Sequence, residues 1–415
     1  MIMRTLLVKQ LIVGALVLSA ASTAMRGQAP AQTEQDAYTR IELQAPATGT
    51  FVVAHDVAAT TAGAKEFLYA LPRGVEASDA KARDLMTGGA LVVSVTSGQG
   101  ADSASQYLKV TLARPVPTDG QGRIRIEFMA RDAQRYRQVG REFTFSWPAR
   151  APRGTVVLPQ GFELRASDLP AQILSERDGR IAVSYLHQIP GDATLTLRAR
   201  SGVPTGVAAA PTPLTNARSW EGPAQRSTER ARLTERATQD RDIVYFLQAP
   251  ETNAFSLYHD YTETRPGVDK YLNVVRTGAR VSNPSAYILD TGEVLMHEVL
   301  KGDAITAAKI DVGAVTPETE VVVLHFPPVK DGQSVRLRIS ETYTTPESYR
   351  LDGTDLVFER SLGRARNSVV LPPGWYLTAS SIPAVVRETD DGLIRLDYVN
   401  GRPEAIDVLI KGRKR

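Results

Sequence analysis

Two short polar pairs carry most of the chemistry this sequence offers. His55-Asp56 and His259-Asp260 are the same dipeptide, 204 residues apart. A histidine beside a carboxylate can serve acid-base chemistry or ligate a metal. Adjacent residues of a strand, however, point to opposite faces, so one pair alone cannot readily chelate one ion. If the strand ends there, the aspartate caps a turn and the histidine packs beside Phe51 or Phe255. The other histidines, His187, His297 and His325, are not repeated. His297-Glu298-Val299-Leu300-Lys301 begins like a zinc-protease helix, but Lys301 stands where a second histidine is required, which excludes a zincin. No Gly-x-Ser-x-Gly elbow, phosphate loop or dinucleotide fingerprint occurs. There is no cysteine, so thiol chemistry and disulfides are excluded. The site expectation is therefore a binding role for His55, Asp56, His259 and Asp260, with no metal and no cofactor.

Other polar and aromatic residues cluster late in the chain. Tyr376 follows Trp375, and strand alternation would leave one of them facing solvent as a platform for a glycan or a partner protein. Tyr343 and Tyr349 flank Thr344-Thr345-Pro346-Glu347-Ser348, and Arg360, Arg364 and Arg366 form a local basic cluster that reads as a solvated loop. Asp390-Asp391 reads as a hairpin turn.

The elements that must position these residues occur twice. Val156-Val157-Leu158-Pro159-Gln160-Gly161-Phe162 matches Val369-Val370-Leu371-Pro372-Pro373-Gly374-Trp375 at an offset of 213, and the match runs on through Tyr185 and Tyr398. Arg125/Arg338, Tyr136/Tyr349 and Phe145/Phe358 coincide at the same offset. Earlier, Leu43-Gln44-Ala45-Pro46 matches Leu247-Gln248-Ala249-Pro250 at an offset of 204. The second copy thus carries nine more residues, and Lys301 to Thr316 reads as a longer loop or strand pair there. β-Branched runs, period-2 alternation and Pro-Gly or Asp-Gly turns predict many short antiparallel strands. The fold class expected is all-β: two tandem homologous β-sandwich, immunoglobulin-like copies.

The chain has 415 residues, enough for two cores, and a formal charge of +3. Arg4 and Lys9 precede the apolar run Leu11–Leu18, and the small residues Ser22 and Ala24 follow, so 1–24 reads as a secretory signal peptide. Losing those two cations leaves +1, which argues against nucleic acid as a partner. The remaining divisions expected are a disordered leader at 25–37, copy one at 38–200, a linker with a short charged helix at 201–241, and copy two at 242–413. No membrane span is expected after signal cleavage, and the protein is expected in the periplasm or outside the cell.

The segment Phe358-Glu359-Arg360-Ser361-Leu362-Gly363-Arg364-Ala365-Arg366-Asn367-Ser368-Val369-Val370-Leu371-Pro372-Pro373-Gly374-Trp375 resembles exported bacterial all-β proteins of unassigned function that carry Val-Val-Leu-Pro-x-Gly-Trp/Tyr near the C-terminus. The chain also faintly resembles the all-β, non-catalytic N-terminal domains of some zinc aminopeptidases, which implies at most an accessory module. The function expected is non-enzymatic binding of an envelope protein or surface polymer through tandem modules. Alternatives are an enzyme built on the repeated His-Asp pairs and a glycan-binding module using Tyr376.

Overall fold

A computed structural model of the chain describes residues 32–98, 103–187, 193–204, 242–275, 278–401 and 404–415. The expected signal peptide and the charged linker helix lie outside the described residues. The protein is nearly all β. Its first half supplies β1 (Glu34–Leu43), β2 (Thr50–Ala59), β3 (Glu66–Ala70), β4 (Glu76–Asp84), β5 (Ala90–Leu91), β6 (Val93–Ser97), β7 (Gln106–Thr111), β8 (Gly122–Arg131), β9 (Tyr136–Val139), β10 (Glu142–Ala149), β11 (Arg153–Val157), β12 (Phe162–Ser175), β13 (Ile181–Leu186) and β14 (Ala193–Ser201). The second half supplies β15 (Asp242–Leu247), β16 (Ala254–Glu263), β17 (Lys270–Val274), β18 (Arg280–Ile288), β19 (His297–Lys301), a short helix α1 (Asp303–Ala307), β20 (Glu320–His325), β21 (Val335–Thr344), β22 (Tyr349–Asp352), β23 (Asp355–Leu362), β24 (Arg366–Val370), β25 (Trp375–Glu388), β26 (Ile394–Val399) and β27 (Ile406–Lys414).

The same pairings occur in both halves. β1-β2-β8-β4 run antiparallel as neighbours, and so do β15-β16-β21-β18. β1 also pairs in parallel with β11, as β15 does with β24. The small sheets β3-β7-β6 and β17-β20-β19 correspond. Each turn between the first two strands of a half begins at a proline, Pro46 or Pro250, and ends in a left-handed residue: Gly49 at φ +62 and Asn253 at φ +53. Glycine and asparagine are the residues that tolerate that region. Tyr136 and Tyr349 each donate a hydroxyl hydrogen bond to the carbonyl before that turn, Gln44 and Gln248 respectively.

Three expectations change. β1 starts at Glu34, inside the segment read as a disordered leader, because Glu34 and Gln35 pair with Ala59 and Ala58. The stretch from Lys301 is part helix: Ile305 is fully buried and joins Val321 and Val323 in a small second core, which fixes α1 against β20. Finally, β25 is buried on both faces at its start, Trp375 to Ser380, rather than on one.

The cause is contact between the halves. β12 pairs antiparallel with β25, its own counterpart. Ser167 lies opposite Val386 and Ile173 opposite Ser380, while Ala171 faces Ala384. Because Ser167 and Ser380 correspond, as do Ile173 and Val386, this register is that of a two-fold, isologous interface. The two halves meet as two subunits of a dimer would, and their apolar residues join one continuous core.

Candidate ligand pockets

The His-Asp pairs sit on β2 and β16, each flanked by two strands. Alternation separates their side chains. Asp56 accepts two hydrogen bonds from Arg125 on β8 (2.5 and 2.6 Å), and Asp260 accepts two from Arg338 on β21 (2.7 and 2.9 Å). Register puts each arginine directly opposite its aspartate. The aspartates thus hold cross-strand ion pairs, a stabilising role for directly opposed charges. The histidines turn to the other face and are buried. His55 Nδ1 is hydrogen-bonded to the Thr39 hydroxyl at 2.9 Å. Burial pushes the His55 pKa down to about 4, against the opposing charge of Asp56. The geometry does not bring histidine and aspartate together as a dyad. Among the described residues no group of three or more His, Asp or Glu side chains could hold a metal.

Each histidine instead lines a cavity between its strand and the small sheet of the same half. The first cavity measures about 330 Å³ and includes Thr39, His55, Tyr69, Tyr107 and Trp147. The second measures about 270 Å³ and includes His259, Tyr271, Asn273, Glu341, Tyr343 and Arg360. Their walls have diverged at matching positions. Trp147 corresponds to Arg360 and Tyr69 to Asn273, while Glu341 and Tyr343 of the second wall stand where the first half has Phe128 and Ala130 outside its cavity lining. In the first half the Trp147 ring lies 5.4 Å from Phe51, edge to face. In the second half the Arg360 guanidinium occupies that place, 5.2 Å from the ring centre of Phe255.

The second cavity therefore encloses charge. Glu341 is 2% exposed. Asn273 Nδ2 donates to both its oxygens, at 2.8 and 2.7 Å, and to the Tyr343 hydroxyl at 2.8 Å. Burial raises the Glu341 pKa, opposed by the hydrogen bonds from Asn273 and Tyr343. An acid whose pKa rises on folding destabilises the folded state once it ionises. Glu341→Gln, neutral and of the same shape, is therefore expected to stabilise the protein at pH 7 by about 1 kcal/mol. That gain should vanish below about pH 4.5, where the unfolded carboxyl is also protonated. Thermal melts of both proteins from pH 4 to 8 test this, and an E341Q protein less stable at pH 7 would refute it.

Arg360 corrects the reading of a solvated basic loop. It continues β23, where Phe358, Arg360 and Leu362 share the inward face, and only 9% of it is exposed. Its guanidinium also lies 5.5 Å from the ring of Tyr245 and 5.7 Å from that of Tyr343. Its Nε has no hydrogen-bond partner among the described residues. Arg364 stands at the edge of the same cavity, whereas Arg366 pairs with Asp242. The signal for Arg360 and Glu341 was in the sequence: each charged residue stands where the other half has a large apolar one. Asn273 carried no such signal.

Tyr376 lies elsewhere, in a third cavity of about 260 Å³ between the halves, with Phe162, Arg180, Val203 and Arg413. Neither Trp375 nor Tyr376 faces solvent: they are 6% and 7% exposed. Contact between the halves covers the face that alternation alone would leave open. His187 bonds the Ala149 carbonyl through Nε2, and His325 bonds Glu298.

No protein-family model matches the chain. No curated protein matches it either. Among solved structures, an M1 zinc metallopeptidase from Deinococcus radiodurans aligns at 14% identity and TM-score 0.27, over 40% of this chain and 41% of that one. A structure of an M1 zinc metallopeptidase from the same organism with bound Tyr-Ser-Ala aligns at 15% identity, TM-score 0.27 and the same coverage. The chain spans about 41% of the length of these enzymes. A collagen adhesin from S. aureus aligns over 92% of this chain and 95% of that one, at 8% identity and TM-score 0.17. At these scores no ligand or activity is taken from them.

Proposed function

We propose that this chain is an exported, non-enzymatic binding protein of the cell envelope. Two homologous β-sandwich modules would each hold a unit of a protein or surface polymer. The observation that carries this reading is the cavity found twice, at the repeated histidine, with one aromatic lining and one charged lining. Divergence at matching wall positions, Trp147 against Arg360 and Tyr69 against Asn273, fits two subsites for unlike units of one ligand. Pairing of β12 with β25 sets the spacing of the two cavities, which favours simultaneous engagement. The apolar run and small residues of 1–24 support export.

The test is co-sedimentation of the chain from residue 32 onward with purified insoluble wall polymers and envelope fractions. Saturable retention is expected. Tyr107→Ala alters the first cavity and Arg364→Glu the second. Each should weaken retention, and the pair together by about a hundredfold. Retention by no fraction, or equal retention of the double variant and the parent, would overturn the reading.

A further inference from the structure

The second cavity holds a buried cation, Arg360, whose Nε has no hydrogen-bond partner among the described residues. Arg360 cannot shed its proton to escape burial, because guanidinium stays charged at any physiological pH. Removing such a charge from water costs several kcal/mol. Contact with aromatic faces returns about 2 kcal/mol at best. The neighbours of this guanidinium are the rings of Tyr245, Phe255 and Tyr343. An entering anion would offset that cost, and the planar fork of arginine suits a carboxylate.

The rest of the lining narrows the ligand. A volume of about 270 Å³ falls just below the range of drug-sized pockets and admits one small unit. Glu341 and Asn273 place hydrogen-bonding groups in the same cavity, and Tyr245 and Tyr271 place aromatic rings there. Glu341 already accepts hydrogen bonds from Asn273 through both oxygens. Its remaining acceptor capacity suits a ligand hydroxyl. Carboxylate, hydroxyls and a face that stacks on rings together describe one class of small molecule.

We propose that the second cavity binds a single carboxylated sugar unit, a uronate, with its carboxylate on Arg360 and a hydroxyl at Glu341. This rests on the tandem-binding reading and names the ligand of one of its two sites. The first cavity, with Trp147 in place of Arg360, lacks that carboxylate site and would take a neutral or apolar unit.

Calorimetric titration of the full chain with D-glucuronate and D-galacturonate tests it, against D-glucose, D-galactose, acetate and alanine. A uronate should bind at least about tenfold tighter than its neutral parent sugar, since a charged hydrogen-bonded contact is at stake. Arg360→Met should abolish that preference and Arg360→Lys should keep part of it, with circular dichroism melts showing both variants folded. Glu341→Gln should weaken uronate but leave acetate unchanged. Equal binding of uronate and parent sugar, tighter binding of alanine, or an unchanged preference in Arg360→Met would overturn the proposal. Sedimentation of the parent chain with wall polymer separates the two readings. If uronates fail while the parent chain is still retained, only the uronate site falls; if the parent chain is not retained either, the tandem-binding reading falls with it.

Discussion

Arg165→Ala is expected to destabilise the protein by about 3 to 5 kcal/mol, the range for removing one partner of a buried ion pair. Arg165 is fully buried between the halves. It donates to Glu388, to the Gly392 carbonyl at 2.8 Å and to Glu163 at 3.3 Å. Burial pushes the Glu388 carboxyl up, but Arg165, with Arg200 and Arg198, holds it below the usual range. Arg198 at 3.0 Å and Arg200 at 3.3 Å would remain in the variant, which favours the lower end of that cost. The pseudo-two-fold supplies a control. The residues matching Arg165 and Glu388 are Thr378 and Ser175, and there Ser175 Oγ donates to the Thr378 carbonyl at 3.0 Å. The double variant Arg165→Thr with Glu388→Ser rebuilds that uncharged contact on the charged side. It should lose about 2 kcal/mol less than Arg165→Ala, because Glu388 is removed with its partner and Glu163 keeps Arg415. Urea unfolding measures both. A cost under about 1 kcal/mol for Arg165→Ala would show that the halves do not depend on this contact.

How far the sequence disclosed this depended on the range of the interaction concerned. The turns at Pro46 and Pro250 and the left-handed glycines at Gly161 and Gly374 (φ +79 and +80) follow from local backbone chemistry, legible in the repeated Ala-Pro and Gly positions. The strand partners of Asp56 and Asp260 were half visible, since Arg125 and Arg338 recur at matching positions, but only register showed that they face the aspartates. The burial of Tyr376 was not visible. Period 2 tells which residues share a face, and not what covers that face. Here residues of the other half cover it, with Phe162, Arg180 and Val203 lining the same cavity as Tyr376. Arg360 was misread for a related reason. Three arginines within seven residues read as a solvated run, yet the first still belongs to a strand and shares the inward face of Phe358. The correspondence with Trp147 outweighs the local charge pattern, because a position that is core in one half has the same surroundings in the other.

Acid should weaken this protein through His55 before its ion-paired carboxylates begin to fail. The His55 ring is buried beside Tyr69, with ring centres 4.8 Å apart. Burial lowers its folded pKa to about 4, against 6.5 for an ordinary histidine, with the charge of Asp56 opposing that shift. The unfolded chain therefore takes up this proton first. Between pH 6.5 and 4 the unfolded state binds more protons than the folded state, so stability falls as pH falls, and the effect levels off below about 4. A shift of that size corresponds to roughly 3 kcal/mol. Depressed carboxylates act lower: Glu263, buried but held at about 2 by Arg265 and Tyr261, contributes stability that is lost only as pH drops below 4.5. Glu34 and Glu341, whose pKa values burial raises, also titrate above 4.5, so the histidine is isolated by comparison with a variant that lacks it. His55→Gln keeps a polar group near the Thr39 hydroxyl and cannot titrate. Across the full fall from pH 7 to 4, the parent should lose roughly 3 kcal/mol more than His55→Gln, whatever the variant's stability at pH 7. Glu34, which lines the same cavity, titrates in both proteins and cancels in the difference. Chemical denaturation at half-unit pH steps gives the two curves. Parallel curves would mean that the buried ring takes up its proton as easily as the unfolded one, and that water reaches the first cavity freely enough to solvate a charge there.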